Sequence, residues 1–246
     1  MGQTAAWGYH IYHSLWAGLD WIFPPTCGGC GQPGTRWCAD CQTRVIRPRE
    51  PVCDVCGVPR EIAGVCDGCK SSPPHYVSLR SWSVFDQPVR GALHRLKYRR
   101  DMSLGDALAV ALNEHIRSLG WPIEIVAPVP LSRKRLSERG YNQVSMVALP
   151  LTLMCGWGYR PQALSRARET RSQVGLSREE RRNNVRDAFV AQPSIVRGRV
   201  VLVVDDVTTT GATLSSCAQA LIQAGARQVY AYTVARALAR HGLKDV

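Results

Sequence analysis

Residues 200–213 read VVLVVDDVTTTGAT, and the order of these residue types decides the fold. Residues 200–204 form an unbroken β-branched and leucine run, the pattern of a central parallel strand buried on both faces. Asp205 and Asp206 then emerge at its carboxyl end, outside which ligands sit in open α/β sheets. Downstream, Thr209, Thr210, Gly211, Ala212 and Thr213 run into a segment whose Leu214, Cys217, Ala218, Leu221 and Ile222 recur at helical spacing. The amino end of that helix suits a phosphate, because its unpaired N–H groups and dipole favour an anion. Gly211 lets the backbone approach closely, and the hydroxyls add donors. The two carboxylates, acceptors only at neutral pH, suit ribose hydroxyls or a hydrated magnesium ion. The plainer alternative is a buried strand followed by an ordinary helix cap, since Asp and Thr are common caps. Neither a Walker A loop nor a G-x-G-x-x-G fingerprint occurs in the chain.

Around this segment, 77–84, 123–129 and 229–235 read as strands, and 105–119 and 142–154 as helices. Residue 166 opens an arginine-rich loop, with a short helix expected over 177–184. The alternation predicts an α/β domain with a mainly parallel sheet flanked by helices.

Eight of the ten cysteines fall between positions 27 and 69 as four C-x-x-C pairs. These are Cys27 and Cys30, Cys38 and Cys41, Cys53 and Cys56, Cys66 and Cys69. Each pair is a zinc knuckle, and two knuckles complete a tetrahedral site. The repeat favours serial assignment, Cys27, Cys30, Cys38 and Cys41 on one Zn2+ and Cys53, Cys56, Cys66 and Cys69 on a second, with cross-bracing the alternative. Four thiolates close the coordination sphere, so both sites are expected to be structural. Cys155 and Cys217 sit in apolar helical contexts and read as core.

Charge divides the chain. Residues 1–74 carry six Lys and Arg against six Asp and Glu, so the formal excess of +12 lies entirely in residues 75–246. Such a basic domain suits an anionic ligand or nucleic acid. Within it, residues 89–101, VRGALHRLKYRRD, set Leu93 and Leu96 beside Arg90, His94, Arg95, Lys97, Arg99 and Arg100. Tyr98 interleaves with these cations, a pattern for nucleic-acid contact or for a merely solvated helix face. The organisation expected is an amphipathic helix in 1–26, a double zinc ribbon in 27–70, a Pro-containing link, and the α/β domain in 75–246.

In 5–23, Trp7, Ile11, Leu15 and Leu19 share one helical face, expected to pack on a protein surface. No run of eighteen apolar residues occurs, so a transmembrane segment is not expected. With no basic start and cleavage site either, the expected location is cytoplasmic, peripheral contact with the inner membrane face being the alternative.

The segment 200–213 resembles the signature of type I phosphoribosyltransferases, which bind 5-phosphoribosyl 1-pyrophosphate (PRPP). Thr208 stands where many members carry an apolar residue. Taken with the cysteine-rich start, APVPLSRKRLSERGYNQ at 127–143 and the arginine-rich loop, the chain is similar to the ComF family of competence-associated phosphoribosyltransferase-like proteins. The resemblance implies a type I phosphoribosyltransferase-like fold preceded by a small zinc-ribbon module. It also implies PRPP with Mg2+ as ligand and a role in natural transformation or nucleotide metabolism, with single-stranded DNA and DNA-uptake proteins as partners. By the same resemblance, Asp205 and Asp206 hold the ribose, and Val207, Thr208 and residues 209–213 form the phosphate site. Arg133, Lys134 and Arg135 fall in the pyrophosphate loop. Arg168, Thr170, Arg171 and Gln173 fall in a closing loop, with Arg171 the catalytic candidate. The expected activity is pentosyl transfer to an unidentified acceptor. The alternative is a non-catalytic factor that handles single-stranded DNA or docks a partner with the same fold.

Overall fold

The computed structural model describes residues 3–21, 23–168, 180 and 187–238. Helix α1 (Gln3–Leu19) leads into the cysteine region, where α2 (Ala39–Thr43) and α3 (Asp67–Ser71) are single turns. Then come β1 (Leu79–Val84), α4 (Val89–Tyr98), α5 (Leu104–Ser118), β2 (Ile125–Pro128), α6 (Arg133–Arg139), α7 (Gln143–Cys155) and β3 (Gly158–Tyr159). A short pair, β4 (Leu164–Arg166) and β5 (Phe189–Ala191), precedes α8 (Pro193–Val196), β6 (Val200–Thr208), α9 (Ala212–Gln223) and β7 (Gln228–Arg236). The main sheet has the order β1-β7-β6-β2-β3 and is parallel throughout, while β4 and β5 pair antiparallel.

Strand β6 is central because its side chains are apolar on both faces. Val200, Leu202 and Val204 pack with Trp82, Leu93, Leu112 and Leu151; Val201 and Val203 pack with Leu214, Cys217 and Leu221 of α9. Each such side chain contributes roughly 1.5–3 kcal/mol by leaving water. The strand was expected to stop at residue 204, yet it runs to Thr208. Strand β7 continues beside it, pairing Asp205 with Thr233 and Thr208 with Arg236, so the backbone stays satisfied past the last valine.

The zinc ribbons do not hang on a linker. They cover the outer edge of β1, where the Leu79 N–H donates to Val55 O at 2.7 Å and the Val84 N–H to Ile46 O at 2.8 Å. Covering an edge strand in this way removes a pairing hazard. A Cβ on Gly57 would lie 2.4 Å from Leu79 O, and its φ is +68°, so this close approach needs glycine.

Helix α1 rests on α7, with Gly8 against Leu153, and His13 Nδ1 lies 2.6 Å from the Asp106 carboxylate. The expected apolar face is not the one that packs. Trp7, Ile11, Leu15 and Leu19 are exposed, one position round from half-buried Gly8, Tyr12 and Trp16. No helix among the described residues is long and apolar enough to cross a membrane.

One half-buried polar pair gives a pH signature. His115 Nδ1 lies 2.8 Å from the Tyr232 hydroxyl, and desolvation, helped by Arg47 and Arg80, pulls the imidazole from 6.5 to about 4. The unfolded chain therefore takes up a proton at this histidine before the folded one does. Stability is complete above pH 6.5 and falls as pH drops towards 4. From pH 7.5 to 5 the expected loss is roughly 1–2 kcal/mol, discounted for partial exposure. Urea unfolding at both pH values should show this loss in the parent and not in His115→Gln; identical slopes would refute the assignment.

Candidate functional site

Asp205 and Asp206 lie towards the carboxyl end of β6, and their carboxylates differ in surroundings. Asp205 Oδ1 accepts the Asp206 N–H at 2.9 Å. Asp206 is more enclosed: its Oδ1 accepts the Val207 N–H at 2.8 Å, and its Oδ2 meets Lys97 Nζ at 2.7 Å and Gln143 Nε2 at 3.3 Å. Burial alone would raise both acids. At Asp206 the Lys97 ammonium overcomes desolvation and brings the carboxyl down to about 2. Asp205 is pushed well up by desolvation and by its charged neighbour, so of the two it is the acid that takes up a proton first as pH falls.

Both donors are placed by helices whose apolar faces are fixed. Val89, Ala92, Leu93 and Leu96 bury one side of α4, which carries Lys97 towards β6. Helix α7 begins at Gln143 because the Asn142 side chain caps it, accepting the Val144 N–H at 3.0 Å. Gly140, at φ +80°, ends α6 and turns the chain.

The acids open into a cavity of about 1070 Å³. Part of its lining is Asp205, Asp206, Val207, Thr213, Ser132 and Arg135; another part comes from α4 and from Gly28, Gly29 and Gly31 of the first knuckle. Arg133 and Lys134 do not line it. They are exposed on α6, a short helix where a loop was expected, capped by Ser132 accepting from the Arg135 N–H. Arg139 lines the cavity instead. Thr208 is buried in β6, and Thr209 follows it in a bend. Thr210, Gly211 and Ala212 line a separate cavity of about 430 Å³ beside Cys56, Cys69 and Tyr76. A Cβ on Gly211 would lie 2.7 Å from the Tyr76 hydroxyl, and its φ is +80°.

The basic strip of α4 is divided. Lys97 is held by Asp206, and Arg95 donates to Cys27 O at 2.9 Å, Thr26 Oγ1 at 2.9 Å and Asp101 Oδ2 at 2.6 Å. Tyr98, Arg99 and Arg100 are exposed. Arg166 ends β4 and lines the main cavity, and exposed Arg168 follows. Thr170, Arg171, Gln173 and most of the helix expected at 177–184 lie outside the described residues.

Besides the Lys97–Asp206 pair, two further contacts were not read from the sequence. Arg236, buried at the end of β7, donates to Thr209 O at 3.2 Å and to Cys56 O, tying the loop after β6 to the second ribbon. The Tyr141 hydroxyl donates to Leu96 O and braces α4. An arginine at the end of a mostly apolar strand was the available signal for the first.

The cysteines gather serially, Cys27, Cys30, Cys38 and Cys41 in one cluster and Cys53, Cys56, Cys66 and Cys69 in the other, with all sulfurs of a cluster within 4.8 Å. Sulfur separations include 3.6 Å for Cys27 and Cys38 and 3.7 Å for Cys56 and Cys66. A tetrahedron with Zn–S of about 2.3 Å has edges of about 3.8 Å, so the donor sets fit zinc and not disulfides. Against desolvation, backbone N–H donors bring the Cys27 and Cys53 thiols down to about 6, while burial and neighbouring sulfurs push Cys41 and Cys69 up. Burial raises Cys155 to about 11, in keeping with an inert core thiol.

Comparison with known proteins adds two domain matches, a double zinc ribbon domain over residues 18–70 and a phosphoribosyl transferase domain over residues 163–246. DNA utilization protein YhgH of Salmonella typhi is 33% identical over 225 residues, 87% of this chain and 98% of that protein. Competence protein F of Haemophilus influenzae is 30% identical, covering 81% of this chain and 90% of that protein. Competence protein ComFC of Bacillus subtilis is 24% identical over 83% and 86%.

Proposed function

Since the chain belongs to the ComF family, a double zinc ribbon joined to a phosphoribosyltransferase-type domain, we propose that it binds PRPP with magnesium at Asp205 and Asp206 and serves the use of DNA taken up by the cell. The observation that carries this reading is the carboxylate pair at the end of the central strand, opening into a cavity that also holds Thr213 and Arg135. Asp205 accepts the ribose hydroxyls. Thr213 lies towards the 5-phosphate and Arg135 towards the diphosphate, where a guanidinium fork matches phosphate oxygens.

The reaction proposed is displacement at the anomeric carbon: the bond to diphosphate breaks, the acceptor's lone pair forms the new bond, and the acceptor's proton leaves to solvent. No covalent intermediate with the protein is needed. The chain's contribution is orientation and fixed charge around a sugar that becomes cationic. Magnesium, when bound, neutralises part of the diphosphate charge. Hard carboxylate oxygens fit it, but Lys97 and Gln143 already hold Asp206 Oδ2, so direct ligation there requires Lys97 to withdraw.

That same Lys97 contact favours a second reading, a fold retained without transfer as a DNA-handling or docking factor. A thermal shift distinguishes them. At about a hundred times its Kd, magnesium PRPP adds about 2.7 kcal/mol, or roughly 5–10 °C in Tm for a chain of this size. Ribose 5-phosphate should give a much smaller rise. No rise with PRPP would favour the second reading.

A further inference from the structure

The cavity at the end of β6 exceeds what a sugar phosphate occupies. At about 1070 Å³ it lies at the top of the roughly 300–1,000 Å³ typical of small-ligand sites. The signature residues account for one part of its lining. Resting on the PRPP reading above, we propose that the remaining wall, built by α4 and the first zinc knuckle, is a second subsite that takes a nucleotide, an aromatic base bearing its own phosphate.

Three observations support this. The wall is rigid: Arg95 bonds the knuckle at Cys27 O and Thr26 Oγ1, and a Cβ on Gly28 or Gly29 would sit 2.6 Å from Leu104 or Pro88. With glycine at 28, 29 and 31, the knuckle presents flat main chain to the cavity. Next to it lies a set of planar groups. The His94 and Tyr98 rings are 4.9 Å apart, the Arg139 guanidinium lies 5.2 Å over Tyr98, and all three line the cavity. Such groups stack bases. Charge supplies the third observation. The acids lining the cavity are Asp205 and Asp206, and the first partners of Lys97 and Arg95 are Asp206 and Asp101. Arg99 thus adds positive charge beside Tyr98 with no carboxylate among the described residues paired to it, which suits a phosphate and not a neutral base.

Calorimetric titration with dTMP, with thymidine, and with short oligo-dT carrying a 5′-phosphate or a 5′-hydroxyl tests the subsite. Binding of dTMP should exceed that of thymidine at least ten-fold. Tyr98→Ala should weaken dTMP roughly ten-fold, Tyr98→Phe should restore it, and Arg99→Gln should narrow the gap between dTMP and thymidine. Competition by the phosphorylated oligonucleotide alone identifies the ligand as a DNA end; competition by neither identifies a free nucleotide. Equal binding of dTMP and thymidine, or dTMP binding insensitive to Tyr98→Ala, overturns the proposal. Magnesium PRPP is titrated separately: dTMP binding that depends on Tyr98 without PRPP binding keeps the subsite and removes the PRPP reading, and the reverse removes the subsite.

Discussion

An Arg236→Met variant is expected to lose about 3 kcal/mol of unfolding free energy and to bind magnesium PRPP at least ten-fold more weakly. The guanidinium is buried at the carboxyl end of β7 and satisfies two main-chain carbonyls, Thr209 O and Cys56 O. Methionine keeps much of the volume but leaves both acceptors without a donor, at about 1–3 kcal/mol each. The affinity loss follows from position. Thr209 begins the bend between Asp206 and Thr213, and Arg236 holds that bend against the second ribbon. Urea unfolding and calorimetry check the two effects, and a variant with unchanged midpoint and affinity would show that the bridge has no energetic role.

Removal of zinc is expected to have the largest effect on the fold. Structural zinc sites supply about 10–16 kcal/mol in small zinc modules, and each cluster here has few apolar residues besides its cysteines. Taken alone, the sequence predicts that chelation unfolds the first seventy residues more than the α/β domain. The contacts of Val55 and Ile46 with β1, and of Arg95 with the first knuckle, extend that loss. Chelation should therefore deprotect β1 and α4 in hydrogen exchange along with the ribbons, while β6 and β2 stay protected. Metal analysis should find two zincs per chain, one fewer in Cys30→Ser and two in Cys155→Ser. Clearly fewer than two zincs in the parent, or exchange unchanged by chelation in β1, would contradict this coupling.

The strand and knuckle patterns were legible because each is a local consequence of residue type. Burial of residues 200–204 on both faces of the sheet follows from a run with no polar side chain, and serial gathering of the cysteines follows from their spacing. The Asn142 cap was legible for the same reason. What the sequence hid depends on where distant elements meet. Lys97 reads as one cation in a basic strip until α4 is set beside β6, where it becomes the partner of Asp206. The end of β6 was hidden because β7 sustains pairing through Thr208, and the exposed stripe of α1 because α7 contacts the neighbouring face. The basic run 133–135 looked continuous, but the turn of α6 brings Arg135 to the cavity and leaves Arg133 and Lys134 outside it.

Asp205 and Asp206 are expected to form a working ribose-phosphate site. Its most direct test is calorimetric titration of magnesium PRPP into the zinc-loaded parent and into the Asp205→Asn, Asp206→Asn double variant, with urea unfolding confirming that both are folded. Saturable binding to the parent that falls at least a hundred-fold in the variant is the predicted result. No binding to a well-folded parent, or equal binding to both, would contradict it.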